Sequence, residues 1–310
     1  MSSFTVDNFL QLTVNGVIDG TEYGLLGLAF GLILGVTGRF HFAFAFTFTI
    51  SAYLASVATQ SWGIPYWPSM VIGALVGAAF GVAMEFLIYR PLAARAGAYA
   101  LLTIFVASLG LSIIGKNAIS LYWISSGSQQ IGGFDNRGIN FASEHISILD
   151  IDMLIASWIL IVLTALVLRF TKLGRMVRAV RSNPEMSLAV GVNPKTIFLL
   201  VFAVGSFLGG ISAVFVATKT AATPDMGFNP LFYAFTIAFL SGLTTRPLVI
   251  GLVGLVIGLI QSWSNLVLPL QWVQLVVFAI LFFYVALRPV QFRALLHQLV
   301  PTVPSRATAR

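Results

Sequence analysis

From Phe40 to Met84 the chain carries no Asp, Glu, Lys or Arg, and nothing else in the sequence restricts the fold as much. A soluble domain devotes about a quarter of its residues to charge. Here charged types make up 9% and apolar types 58% of 310 residues, too few polar groups to cover a water-exposed surface. Lipid accepts such a surface. The 28 glycines fit the same solvent, because Gly is more frequent in membrane helices than in soluble ones.

A span of the bilayer takes about 20 apolar residues as helix. Uncharged runs also cover 23–38, 98–115, 153–168, 196–218, 226–245 and 247–287. Gly63, Pro65 and Pro68 divide the 40–84 run, and Pro269 divides the last one. The pattern predicts nine spans, near 17–38, 40–60, 66–89, 98–122, 153–170, 196–218, 230–244, 247–268 and 271–288. Backbone in hydrocarbon must hydrogen-bond to itself, so the runs are helices. A membrane β-barrel needs repeated alternating strands, and only Phe40 to Phe48 alternates. The fold class is an all-α polytopic bundle, a single transmembrane domain over 1–310.

Lys and Arg orient it. Segment 171–195 holds Lys172, Arg175, Arg178, Arg181 and Lys195 against Glu185 alone. Segment 124–152 holds Arg137 against Asp135, Glu144, Asp150 and Asp152. The first is expected in the cytoplasm and the second outside. A nine-span path then puts Arg39, Arg90, Arg95 and the basic tail, 293–310, inside. The run 230–244 is short, and the charge rule favours a full crossing over a re-entrant turn. The net charge of +7 is topogenic charge at span ends, not a nucleic-acid surface. The N-terminus has no signal-peptide pattern, so the first span is expected to act as a retained insertion signal.

Several chemistries find no support. The absence of Cys excludes disulfides and thiolate metal sites, and His41, His145 and His297 have no ligand spacing. Gly110 to Asn117 matches a phosphate-loop pattern as far as Lys116, but lies inside an apolar helical run and lacks the Ser or Thr that would bind magnesium. No catalytic, cofactor or metal motif stands out, so the chain is not expected to be an enzyme. Glu22 and Glu85 are placed near span ends, with Glu85 paired to Arg90, and Lys116 reaches the interface by snorkelling. No acid stands at the bilayer midplane and no internally repeated broken helix is evident, which counts against a self-sufficient secondary carrier. Glycines at helical spacing (Gly24, Gly27, Gly31, Gly35; Gly73, Gly77, Gly81; Gly205, Gly209; Gly251, Gly254, Gly258) mark close helix seams.

Segment 171–195 is the most punctuated stretch. Asn183 is an N-cap, Pro184 suits the first helical position, and Glu185 favours the positive helix start. Gly191 closes the helix in the left-handed conformation. These signals define a short helix over 184–190 on the cytoplasmic face, suited to docking into a partner. Gln261 and Asn265 either line a polar path or join helices. Phe42, Phe44, Phe46 and Phe48 alternate, and on a helix successive members lie about 200° apart, so at most two face one path.

The chain resembles the integral permeases of ATP-binding-cassette importers for branched-chain amino acids, the Liv system, specifically the shorter of the two paired permeases. The likeness runs through 11–292. Asn15-Gly16, Gly20 and Tyr23 resemble the N-G-x-x-x-G-x-x-Y pattern of the first span. Glu85 and Tyr89-Arg90-Pro91-Leu92 are similar to E-x-x-x-Y-R-P-L. Leu109 to Ser112 with Asn117, Met226-Gly227-Phe228 and Arg288-Pro289 follow in order. Thr171, Gly174-Arg175, Arg178-Ala179, Pro184-Glu185 and Gly191-Val192 resemble the family's ATPase-coupling segment. The chain departs at His41 to Ala45, where the family has N-F-A-H-G, so that Phe44 replaces His; at Ser241 to Pro247, where the family has a glycine-rich run; and at Ser187, where the family has Ala.

The resemblance implies alternating access, with cytoplasmic ATPase subunits acting on Gly174, Arg175, Arg178, Ala179, Asn183, Pro184, Glu185 and Gly191. It implies a second permease, a periplasmic or lipid-anchored binding protein, and the bacterial inner membrane. Phe42, Phe44, Gln261 and Asn265 are the candidates for the path. Rival substrates within the class are urea, short amides and sugars.

The orientation is directly testable in this Cys-free chain. Ser128→Cys in intact cells is expected to react with an impermeant thiol reagent, and Ser182→Cys is expected not to. The reverse pattern would refute the assignment.

Overall fold

The computed structural model describes residues 6–122, 128–134, 137–141 and 144–287. The helices are α1 (Val6–Thr37), α2 (Phe44–Gln60), α3 (Tyr66–Ala83), α4 (Arg90–Ala96), α5 (Ala100–Tyr122), α6 (Ile148–Phe170), α7 (Lys172–Ser182), α8 (Pro184–Ala189), α9 (Pro194–Thr220), α10 (Phe228–Leu240), α11 (Pro247–Ser264) and α12 (Leu270–Leu287). A π-helical turn, Met84–Tyr89, joins α3 to α4. Each of the nine expected spans overlaps a helix, although residues 40–43, 241–244 and 265–268 lie outside helices. Among the described residues five helical stretches are long and apolar enough to cross a membrane, and the apolar stretches Phe228–Leu240 and Trp272–Ala286 are shorter. The apolar pattern predicts no strand, but a small antiparallel hairpin, β1 (Gly138–Phe141) with β2 (Glu144–Ser147), precedes α6.

Contacts sort the connections onto two ends of the bundle. At one end Arg90 donates to the Lys195 carbonyl and Arg181 to the Leu243 carbonyl, 2.8 Å. At the other, Gln129 pairs with Ala222 through both backbone bonds, Ser56 donates to the Gln130 carbonyl and Lys219 pairs with Asp150. The chain therefore passes from one end to the other between Ala222 and Leu243, so the short run around 230–244 is part of a full crossing. The tail, including Arg288, Arg293 and residues to 310, lies outside the described residues.

α1 begins about eleven residues before the expected span. Its early turns pack on the end of α11: Phe9 stacks on Trp263 at 5.7 Å, and Trp263 Nε1 donates to Thr13 Oγ1 at 3.1 Å. Glu22 is therefore mid-way along α1 and buried, yet it lies beside Lys219 near the end of α9, at the end of the bundle where the span was expected to begin.

The centre of the bundle is an antiparallel pair, α1 and α9, and what surrounds one repeats around the other. α11 packs on α1 through glycine: a Cβ on Gly20 would lie 2.8 Å from Leu255 Cα, and one on Gly24 would lie 3.0 Å from Gly251 Cα. α3 packs on α9 likewise, a Cβ on Gly77 falling 3.1 Å from the Ser206 carbonyl oxygen. After α1 the chain breaks at 38–43 and resumes as α2, whose Phe44 rests on Gly209 of α9. After α9 it breaks at 221–227 and resumes as α10, whose Ile237 rests on Gly27 of α1. Gly38 and Ala221 open the two breaks with φ of 66° and 69°. This is an inverted repeat, and at each break the chain turns back: α2 returns antiparallel to α1 from the end that carries Arg39 and Arg90, and α10 returns antiparallel to α9.

In lipid, helices associate by close packing and not by hydrophobic drive, so the α1–α11 seam should tolerate no side chain. A Cβ on Gly254 would overlap the backbone of Gly24, whereas nothing lies within 4 Å of one on Gly110. Gly254→Val is expected to lower the thermal midpoint in detergent, at a cost of about 1–3 kcal/mol or more, and Gly110→Val to leave it near wild type. Equal midpoints would show that the seam is not close-packed.

Candidate translocation path and coupling face

The two breaks expose backbone polar groups inside an apolar bundle, where each must find a partner. At 38–43 the partners come from α5. Ser108 Oγ accepts from Phe42 N at 3.2 Å and lies 3.2 Å from the Phe40 carbonyl oxygen. Ser112 Oγ donates to the Phe42 carbonyl at 2.6 Å. These serines are two of the positions that carry the resemblance or neighbour it. At 221–227, Gly227 lies against the Ala45 carbonyl with no room for a side chain, and Lys116 Nζ stands 3.9 Å from Asp225 Oδ2. Lys116 therefore meets the second break as well as the interface. The phosphate-loop look-alike, Gly110 to Asn117, lies wholly within α5.

His41, in the first break, is fully buried. Its Nδ1 is 2.8 Å from Tyr89 Oη, and its Nε2 has no protein partner. Tyr89 ends the π-helical turn. A π turn repeats at five residues, so it brings Glu85 and Arg90 to one side. The fully buried Glu85 forms an ion pair with Arg39 and has Arg90 Nε at 3.4 Å. The expected Glu85–Arg90 pair is present, and Arg39 joins it from the end of α1.

Of the candidate path residues, Phe44 is buried within this chain between Phe30 at 6.0 Å, Phe48 and Gly209. Phe42 is half-buried against Phe105 and Phe235. Phe46 packs on Phe80 and Gly115. Gln261 and Asn265 line a cavity of about 220 Å³ together with Asp19, Asp150 and Lys219. A second cavity of about 390 Å³ lies beside it and includes Asp19, Glu22, Tyr23, Lys219 and Tyr233. The sequence does not announce this charged cluster. Its members are spread from 19 to 219, and the one available signal is Asp19 with Glu22, three apart on an otherwise apolar helix.

Residues 171–195 form a compact unit on the end that carries Arg39 and Arg90. Thr171 caps α7, accepting from Gly174 N at 3.3 Å. Gly174 has no room for a side chain against Leu168, and Arg178 donates to the Leu168 carbonyl. α7 buries Gly174, Val177 and Val180, while Arg175 and Ala179 belong to its other turns. Arg181 ties it to Thr245 and Leu243. Asn183 Oδ1 accepts from Glu185 N and Met186 N, both at 3.0 Å. At the other end Gly191, at φ 78°, donates to the Leu188 carbonyl, and Val192 donates to that of Ser187 at 2.9 Å. These two bonds define a Schellman stop. α8 thus ends at Ala189, with Val190 as its cap, one residue short of expectation. Ser187 Oγ bonds the Pro184 carbonyl at 2.7 Å, which gives the serine a structural use in place of Ala.

A bundle of lipid-matched helices with an inverted repeat, two breaks and a polar cavity beside them has the architecture of a membrane transport protein. The chain belongs to the family described as branched-chain amino acid transport system, permease component, whose profile matches residues 12–286. It is 27% identical over 300 residues to the high-affinity branched-chain amino acid transport system permease protein BraD of Pseudomonas aeruginosa, covering 91% of this chain and 94% of that protein. It is 28% identical over 298 residues to LivH of Escherichia coli K12, with the same coverage of both chains. A partial likeness, 28% over 177 residues and 56% of this chain, links it to the fructose import permease protein FruF of Bifidobacterium longum. No solved structure matches the chain.

Proposed function

We propose that the chain is one of two permease subunits in an ATP-binding-cassette importer of the bacterial inner membrane, and that it forms half of an alternating-access path for branched-chain or related amino acids. The end-to-end match to amino-acid permeases carries this reading. The likeness to the sugar permease covers little more than half of the chain, which makes a sugar the weaker alternative. An inverted repeat and an acid in mid-helix are also features of self-sufficient carriers. Family membership, not either feature, assigns this chain to the importers.

In this reading a binding protein delivers solute at the end that carries 124–152, and ATPase subunits dock at the end that carries 171–195. The chain itself hydrolyses nothing. The coupling element is α8, with Gly174, Arg175, Arg178 and Ala179 in the α7 platform beneath it. Asn183, Pro184, Glu185 and Gly191 fix both ends of α8, so that it transmits a push as a rigid piece. Except for Ser187 its side chains face outward, and Met186, Leu188 and Val190 are exposed apolar groups at 69%, 60% and 72%. Such a knob fits a hydrophobic cleft on a partner.

A Cβ on Gly191 would meet no atom within 4 Å, so Gly191→Val acts through backbone strain alone. Gly191→Val and Glu185→Lys are each expected to leave assembly intact while cutting ATP-driven uptake by the reconstituted complex about tenfold, with Gly191→Asn milder because Asn tolerates the left-handed region. If Gly191→Val and Glu185→Lys both assemble and retain full coupled transport, α8 is not the coupling element.

A further inference from the structure

The charged cluster between α1, α6 and α9 is unbalanced. Asp19 and Lys219 line both of the adjoining cavities. Lys219 Nζ is committed to Asp150 Oδ1 at 2.6 Å. That leaves Asp19 and Glu22, which stand three apart and so share one face of α1, and among the described residues neither has a hydrogen bond or ion pair with a protein cation. Glu22 is only 8% exposed, yet its carboxyl group borders the larger cavity, about 390 Å³, within the size range of small-molecule sites. A carboxyl group buried without a partner is costly in water-poor surroundings, and ionisable groups inside a bilayer mark function by default.

The rest of the wall is suited to a small organic cation. Tyr23 and Tyr233 stack at 4.4 Å with ring planes 9° apart, presenting aromatic surface next to Glu22, and aromatic rings attract ammonium groups. Gln261 Oε1, in the smaller cavity, is a buried acceptor with no partner. Among the described residues Lys219 is the one cation lining both cavities, and it is held by Asp150. A solute with only hydroxyl or amide groups would bring no positive charge to these two carboxyl groups.

We propose that Asp19 and Glu22 form a subsite for the ammonium group of the transported solute, so that the path selects amino acids over neutral solutes such as sugars or urea. This rests on the reading of the chain as an importer permease and specifies the chemistry that such a permease accepts.

The complete importer, reconstituted in vesicles with its ATPase subunits and binding protein, tests both levels separately. ATP-driven uptake is measured for leucine, lysine, urea and galactose, and for 4-methylpentanoate, which is leucine without its ammonium group. The expected result is uptake confined to leucine or lysine. Glu22→Gln is expected to reduce that uptake by about ten- to hundredfold, the loss of one charged hydrogen bond, with partial rescue by Glu22→Asp. Asp19→Asn, at a half-buried position, gives a second variant that should fold even if Glu22→Gln does not. Uptake of urea or galactose alone overturns the ammonium subsite while leaving the importer reading in place. So does unchanged uptake and unchanged exclusion of 4-methylpentanoate in the Asp19→Asn/Glu22→Gln pair. Uptake that needs no ATP overturns the importer reading itself.

Discussion

Backbone amides cannot stay unpaired in hydrocarbon, and in this bundle that rule bears most heavily on residues 38–43. A non-helical turn packed among helices survives only where protein supplies the missing partners. Ser108 and Ser112, presented by consecutive turns of α5, supply them to Phe40 and Phe42. With the segment held, α2 starts at Phe44 in a position to lay that ring on Gly209, and His41 is brought to Tyr89. Tyr89 and Glu85 belong to one π turn, and Glu85 joins Arg39 just before the break. One irregular segment therefore fixes α1, α2, α5 and the α3–α4 junction relative to each other.

The inverted partner of this break, 221–227, positions α10 against α1 and one wall of the larger cavity. The α1–α11 and α3–α9 seams are close-packed through glycine, so they favour motion as rigid pairs. The breaks are the turns at which the chain reverses between antiparallel helices. A transport bundle needs both properties, with the polar cavity lying beside the second break.

The apolar runs made every long helix legible, and the Asn-Pro and Gly signals of α8 came within one residue of its observed end, because those features act locally. The two breaks fall where expected spans end, at 38–40 and between 218 and 230, but what holds them was not legible. Phe40 to Phe48 is as apolar as the span it precedes, and its partners stand some seventy positions away. The start of α1 was missed for a similar reason: Trp263 supports turns that hydropathy assigns to water, and with them Glu22 moves to mid-helix. Gln261 and Asn265 were selected as polar residues in an apolar run, and they do border a cavity. The carboxylates and Lys219 that charge it come from three separate helices, and only tertiary structure brings them together. Phe44 attracted notice for replacing a histidine, and its ring is buried against Gly209 within the chain.

The role assigned to α5 in holding the first break can be measured directly. Ser108→Ala/Ser112→Ala removes both side-chain partners, and Ser120→Ala removes a hydroxyl that bonds only its own helix at Lys116. Thermal unfolding of the purified chain in detergent should show the double variant destabilised by about 2–4 kcal/mol, the cost of leaving buried backbone groups unpaired, with Ser120→Ala close to wild type. A double variant that melts with wild type would mean that the segment is held by something other than these serines.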